Sequence, residues 1–476
     1  MSILIRNSFN YAIIELLPKF GQFIFLPLYL KYLAPSDFGT ISSINTLMAL
    51  LGLLFTFAID RSIVRLFYDF KDDESKKEFL GTIFIFFTTL TIAISLIFYS
   101  FPQILSSFFN NIEFYPLIAY ALLTKVLANF SLVPIATLTA KHNSKSQLYL
   151  GFATFIFVNI FSLINVAILK LGVDGYLKGM IFGNLVMLFF YLPYIWKIVK
   201  FKFNTEYLRK AFQFSLPILP SMVLSWFIGQ SDKIFIERFS NLQEVGLYSL
   251  AYNFSAIAAF IPIGFYKSYN PFFYDIASNK PKDQAIKILR PFNTLYLLII
   301  SLTSFSVFCV FDLVIDVFFD ARYLETIKII PLILISSILS NSSGVYNISI
   351  YFKKKSIVIT YIYLISAILN MILNFALIPN FGMYGASIAT IITLIVVFIL
   401  QSVQAPKYFH VGFDKMVIFS VWFYISLVVS FFYLIELNLK LTVLIKFLFF
   451  FILSIILYLK MGKKVLGEIK QIRNRK

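Results

Sequence analysis

The chain has 476 residues, of which 59% are hydrophobic, 19% aromatic and only 13% charged. A soluble protein carries charge on about a quarter of its residues, so soluble enzymes, disordered chains and collagen-like repeats are excluded. The 41 Lys+Arg against 23 Asp+Glu give a formal charge of +18. The lone Cys309 excludes an internal disulfide or a thiolate metal cluster, and His142 and His410 leave no His-based metal site or triad.

Apolar windows of about 20 residues predict an all-α polytopic membrane protein with fourteen transmembrane helices, here called spans. Spans 1–6 are expected at 9–30, 40–60, 80–100, 114–138, 148–169 and 176–196. Spans 7–12 follow at 212–232, 246–266, 291–312, 325–350, 357–378 and 384–404, and spans 13 and 14 at 416–436 and 442–460. Only short connectors remain, with no room for a soluble domain. The first apolar stretch is a full span without a small-residue cleavage site, which argues against a cleavable signal peptide.

The connectors alternate in charge. Those on the N-terminal side hold Arg61, Arg65, Lys71, Lys76 and Lys77, then Lys197, Lys200, Lys202, Arg209 and Lys210, and later Lys353 to Lys355. The C-terminal tail adds Lys463, Lys464, Lys470, Arg473 and Arg475 to the same side. The opposite side holds only Lys31, Lys170, Lys233, Arg238, Arg322 and Lys440. The positive-inside rule therefore places both termini in the cytoplasm. The excess charge reads as a topology signal facing anionic membrane lipids, and no nucleic-acid partner is expected.

An internal repeat is also present. Leu17-Pro18 returns as Leu216-Pro217, and Pro35-Ser36-Asp37-Phe38-Gly39 as Leu242-Gln243-Glu244-Val245-Gly246. Phe67-Tyr68-Asp69 returns as Phe273-Tyr274-Asp275, and Gly172-Val173-Asp174-Gly175 as Gly382-Met383-Tyr384-Gly385. Four matches in order, each about 200 residues apart, indicate a duplicated six-helix unit. Six is even, so the copies enter the membrane in the same direction, related by an axis along its normal with a substrate path between them. The expected division is an N-terminal lobe at 1–211, a C-terminal lobe at 212–404, and two extra helices with a basic tail at 405–476.

Ionisable groups inside the bilayer cost at least ~2.5–3.5 kcal/mol on insertion scales and are functional candidates by default. Glu15, Lys19 and Gln22 share one face of span 1, and Lys125 with Asn129 one face of span 4. Ser221, Ser225 and Asp232 stripe span 7, with Lys233 beside them. Pro18, Gly21 and Pro27 interrupt span 1 as Pro217, Pro220 and Gly229 interrupt span 7, and paired broken helices point to a transporter's binding site. Glu15 with Lys19 could instead neutralise each other, and Asp232 with Lys233 could be solvated at the external interface. Asp60, Arg61 and Arg65 are expected at the cytoplasmic mouth, and Lys178 reads as snorkelling to outer headgroups. Asn159, Ser162, Asn165, Asn370 and Asn374 read as interhelical hydrogen-bonding groups.

These residues carry a resemblance. Tyr32-Leu33-Ala34-Pro35-Ser36-Asp37-Phe38-Gly39 after a polar first helix, then Ala58-Ile59-Asp60-Arg61, resemble the Wzx-like flippases of polysaccharide repeat units. Leu216-Pro217, Ser231-Asp232-Lys233 and Glu244-Val245-Gly246-Leu247-Tyr248-Ser249 are similar to that family's span 7 pattern, with Lys233 in place of its usual arginine. The family lies in the MATE/MOP superfamily, so the resemblance implies two six-helix lobes around a V-shaped cavity and alternating access. It implies a polyprenyl-(di)phosphate-linked oligosaccharide as cargo, moved from the cytoplasmic to the outer leaflet of a bacterial inner membrane. Lys19 and Lys125 would then neutralise the phosphate, and Glu15 and Asp232 are the candidate carriers of H⁺ or Na⁺. Partners would include polysaccharide polymerase and chain-length proteins. No cofactor, metal or enzymatic activity is expected. A cation-coupled MATE-like drug antiporter is the alternative within transport, disfavoured by the cavity lysines. A membrane polymerase or glycosyltransferase is the alternative outside it, disfavoured by the absence of a long external loop or cytosolic catalytic region.

Overall fold

Short polar connectors start the helices. In the computed structural model, which describes residues 21, 23–410, 412–434 and 439–457, Asp72 opens helix Asp73–Ser100 by accepting from the Ser75 amide at 2.7 Å. Asn143 caps Ser144–Leu163 through the Ser146 amide, and Asn204 caps Thr205–Ser215 through the amides of Glu206 and Tyr207. Each side chain satisfies a first-turn donor that has no partner within its helix. Pro35–Thr56 starts differently, with proline in its first turn and the Ala34 amide donating to Asp37 Oδ2 at 2.9 Å.

The fold is all-helical and polytopic, and no strand occurs among the described residues. Nine helices among those residues are long and apolar enough to cross a membrane, and two further bent pairs raise the number to eleven. The remaining expected spans are accounted for by particular features. Ser356–Gln404 runs spans 11 and 12 together across a break at Gly382, where φ is 52° and ψ −133°. Leu441–Ile455 is an apolar helix shorter than a full span, and most of span 1 lies outside the described residues.

By contact the chain divides into two units, Met1–Gly246 and Leu247–Lys476. Span 7 therefore groups with spans 1–6, although the repeat assigns it to the second copy. The division at 211/212 concerns the duplication and remains a proposal. In the first unit, Phe79, Phe84, Phe87, Tyr191 and Ile195 form one core and Leu47, Phe55, Phe114 and Leu177 another. Spans 5 and 6 pack with almost no side chain between them. A Cβ on Gly179 would lie 2.2 Å from Ser162 Cα, and one on Gly183 2.5 Å from Val158 Cα, the close backbone approach that small residues permit in membranes. The other face of span 6 exposes Phe189 and Trp196, as a lipid-facing surface does.

Span 2 stops at Phe57 and Ala58, both left-handed at φ 46° and 57°, before the short helix Ile59–Leu66 begins. Span 7 is bent by 47° between Thr205–Ser215 and Leu219–Gln230, at Leu216-Pro217, where proline supplies no amide to continue the ladder. It resumes after Ser231 as Asp232–Phe239, seven residues beyond the expected end.

The second unit is built around Lys282–Phe318, against which Phe260–Asn279, Thr326–Ser342, Lys415–Leu434 and Leu439–Leu457 all pack. Spans 13 and 14 dock here through specific bonds. Trp422 Nε1 donates to Ser301 Oγ at 3.0 Å and the Asp414 amide to Thr294 Oγ1 at 2.9 Å. Spans 11 and 12 are joined by Asn370 Nδ2 donating to Thr393 Oγ1 at 3.3 Å, with Asn374 Nδ2 on Asn370 Oδ1 at 3.1 Å.

Candidate functional site

Lys125 lies on helix Ala119–Asn129, half-buried against span 2. Gly52 makes room for it. A Cβ on that glycine would fall 2.9 Å from the Lys125 ammonium nitrogen. No carboxylate or hydrogen-bond acceptor pairs with the ammonium among the described residues. A half-buried cation within a span, with no counter-ion among the described residues, favours the approach of an anion. Asn129, one turn further on, is turned to packing, its Nδ2 donating to Thr91 Oγ1 on span 3 at 2.8 Å with both groups buried. Glu15, Lys19 and Gln22 lie outside the described residues.

The span 7 candidates separate. Ser221 Oγ donates to its own helix at Ile218 O, at 2.7 Å, while Ser225 is exposed. Asp232 is 1% exposed and begins the terminal helix. Lys233 Nζ donates to Gln230 Oε1 at 3.2 Å. Across the bend, Thr205–Ser215 packs on Ile59–Leu66 and Asp73–Ser100. Asp60 begins Ile59–Leu66 half-buried, and Arg61 and Arg65 project from it exposed, Arg65 pairing with Asp69 at 3.1 Å. Nearby, Lys200 holds Glu74 and Glu78 at 2.5 and 2.9 Å, and Lys202 holds Glu78 at 3.1 Å. The two glutamates raise the Lys200 ammonium above its ordinary pKa.

The expected packing groups find partners. Tyr29 Oη donates to Asn159 O at 2.9 Å and to its Oδ1 at 3.2 Å. Ser162 Oγ donates to Tyr176 O at 3.0 Å, and Asn165 Nδ2 bonds within its own helix to Phe161 O. Lys178 pairs with Asp174 at 2.6 Å over the Tyr120 ring.

Two arrangements are invisible in the sequence. Asp312 and Lys446, 134 positions apart, meet at 2.6 Å with side-chain exposures of 3% and 4%. Lys446 also sits over the rings of Phe308 and Phe432 at 4.0 and 5.1 Å. The available signal was a single lysine inside the apolar stretch of span 14. Glu237, fully buried, uses both carboxylate oxygens to accept from the Asn110 amide at 3.0 Å, and Oε1 accepts from the Asn111 amide at 2.6 Å.

A family described as polysaccharide biosynthesis protein matches residues 31–266. A Lsg-locus protein of Haemophilus influenzae is 23% identical over 397 residues, covering 80% of this chain and 94% of that one. The structure of the lipid II flippase MurJ, inward closed, superposes with a TM-score of 0.73 at 16% identity, covering 94% of this chain and 98% of that one. The chain shares the fold of that flippase. An inward-facing multidrug-resistance MATE transporter shares that fold at TM-score 0.63 and 13% identity, covering 83% and 95% of the two chains. The chain is a multi-pass membrane protein.

Proposed function

We propose that this protein is a Wzx-like flippase that moves polyprenyl-(di)phosphate-linked oligosaccharide repeat units from the cytoplasmic to the outer leaflet of a bacterial inner membrane by alternating access. Both termini lie in the cytoplasm, and the protein catalyses no covalent chemistry. The observation that carries the reading is Lys125, a half-buried ammonium beside Gly52 with no counter-ion among the described residues. A carrier of cationic drugs would need an acid at such a place, whereas an anionic phosphate completes it. The glycan meets polar and aromatic side chains, and the polyprenyl tail stays in lipid. Lys19 is assigned the same role as Lys125. Glu15 and Asp232 are the proposed carriers of a coupling H⁺ or Na⁺, and polymerase and chain-length proteins the partners that consume the product.

The test is export of surface polysaccharide by Lys125 variants. Lys125→Ala should reduce export about tenfold or more, the scale of one lost charge-assisted contact, with membrane insertion and protein level unchanged. Lys125→Arg should retain more, because a phosphate reads charge before shape. Normal export by Lys125→Ala would refute the phosphate role.

A further inference from the structure

The second unit carries a group of tyrosines that its packing does not use. On helix Phe260–Asn279, Tyr269, Phe273 and Ile276 turn into a core shared with Ile348 and Phe409. Tyr266, Asn270 and Tyr274 follow one another at four-residue intervals along a neighbouring face. Helix Gly344–Phe352 brings Asn347 and Tyr351, again four apart, and Ser356–Gln404 brings Tyr363. The first two helices meet at two levels. A Cβ on Gly344 would lie 3.2 Å from Cε2 of Tyr266, and the rings of Tyr274 and Phe352 stack at 6.0 Å. The Tyr266 hydroxyl has those of Tyr274, Tyr351 and Tyr363 as electrostatic neighbours. Tyr274 and Tyr351 are 36% and 46% exposed, so a ligand can reach the group.

The buried tyrosines nearby complete their hydrogen bonds, as burial demands. Tyr269 Oη donates to Asn293 Oδ1 at 2.5 Å, and Tyr296 Oη to Asn341 O at 3.1 Å. The hydroxyls of Tyr274 and Tyr351 have no hydrogen-bond partner among the described residues. Asn270 lies beside the Tyr266 hydroxyl and Asn347 beside that of Tyr363, yet Oδ1 of each amide is buried without a partner. A buried acceptor left unpaired costs about 1–3 kcal/mol, so stability alone does not account for this gathering of polar groups. No carboxylate stands among the neighbours of the four hydroxyls. Charges close by are engaged elsewhere, with Asn279 Nδ2 donating to Asp275 at 2.7 Å and Lys353 lying over the Phe352 ring at 5.1 Å.

The chemistry of the group selects its ligand class. A cation would call for an acid beside the rings, and a phosphate for a base. A hydrocarbon tail would leave the hydroxyls and amides unpaired. A neutral sugar ring fits, because its hydroxyls both donate and accept, as those of tyrosine do, and its C–H face can lie against an aromatic ring.

We propose that Tyr266, Asn270, Tyr274, Asn347, Tyr351 and Tyr363 form a subsite for a neutral sugar residue of the cargo and set which glycan is accepted. The proposal rests on the lipid-linked-glycan reading for the source of that sugar. It is tested by ligand-observed NMR on the full-length protein in detergent. The probe is the phosphate-free repeat-unit oligosaccharide released by mild acid from the host's lipid-linked pool. Wild type should show saturable binding. Tyr274→Phe and Tyr351→Phe keep both rings and should each weaken it about fivefold, the scale of one neutral hydrogen bond. Tyr361 is exposed and two residues from Tyr363, so it lies on the opposite side of its helix, and Tyr361→Phe should leave binding unchanged. Equal affinity in wild type and the Tyr274→Phe/Tyr351→Phe double variant would overturn the subsite. So would binding of tetramethylammonium in place of the oligosaccharide, which would make the rings a cation cage. Oligosaccharide binding lost in the double variant, while Lys125→Ala exports normally, would leave the subsite standing and refute the phosphate reading. Reduced export by Lys125→Ala with no oligosaccharide bound by wild type would do the reverse.

Discussion

Replacing Lys446 with alanine should destabilise the second unit by about 3–5 kcal/mol, the range found when one partner of a buried ion pair is removed. The structure supports the upper part of that range. Asp312 keeps its burial after the change, its Oδ1 already lacks a hydrogen-bond partner, and among the described residues no second base pairs with it. The ring contacts to Phe308 and Phe432 vanish with the ammonium. Insertion runs the other way, because alanine enters the bilayer more readily than lysine by about 2.5–3.5 kcal/mol. Lys446→Ala should therefore insert at least as well as wild type yet unfold earlier. Changing both residues to leucine removes both charges and should restore most of the loss, since apolar replacement of a buried pair is often neutral. Thermal unfolding in detergent of wild type, Lys446→Ala, the two single leucine variants and the double leucine variant, followed by size-exclusion recovery, completes the double-mutant cycle. Equal stability of Lys446→Ala and wild type, or a double variant no better than the worse single one, would refute the reasoning.

Three further outcomes are expected. Gly179→Leu should prevent stable packing of spans 5 and 6, because even a Cβ meets Ser162 Cα at 2.2 Å; protease resistance of the first unit reports it. Gly382→Ala should cost about 1–3 kcal/mol, the usual range for an L residue forced into a glycine-only backbone region, visible as a lowered unfolding temperature. Flipping in proteoliposomes should accelerate under an inside-negative potential, worth ~2.3 kcal/mol per charge per 100 mV. A rate that responds only to a pH or Na⁺ gradient would instead favour electroneutral antiport.

The membrane-spanning class and most spans were legible because each apolar run reports its own burial in lipid, whatever its neighbours do. The break between spans 11 and 12 was legible too, since Gly382 belongs to a repeated glycine motif. Span 7 was legible only in part. Leu216-Pro217 marks its bend, but nothing local says that Asp232–Phe239 continues it. Lys125 could be picked out as a charge without an acid one turn away, and the structure adds the Gly52 notch that receives it. Asn129 shows the limit of that logic, since its partner Thr91 is on another span. Asp312–Lys446 and Glu237 were unreadable for the same reason. Their partners are remote in sequence, and for Glu237 they are backbone amides that carry no side-chain signature at all.

The left-handed pair Phe57-Ala58 has a mechanical consequence. Left-handed backbone is unfavourable by roughly 1–2 kcal/mol for each residue that has a Cβ, and neither position here is glycine. The ladder of span 2 is interrupted there, so torsion about that span's axis is not passed on to Ile59–Leu66. The short helix takes its orientation from its neighbours, Leu132–Ala140 and Thr205–Ser215. Span 2 can then roll or tilt while Asp60, Arg61 and Arg65 keep their heading, much as a universal joint lets a shaft turn without dragging its housing.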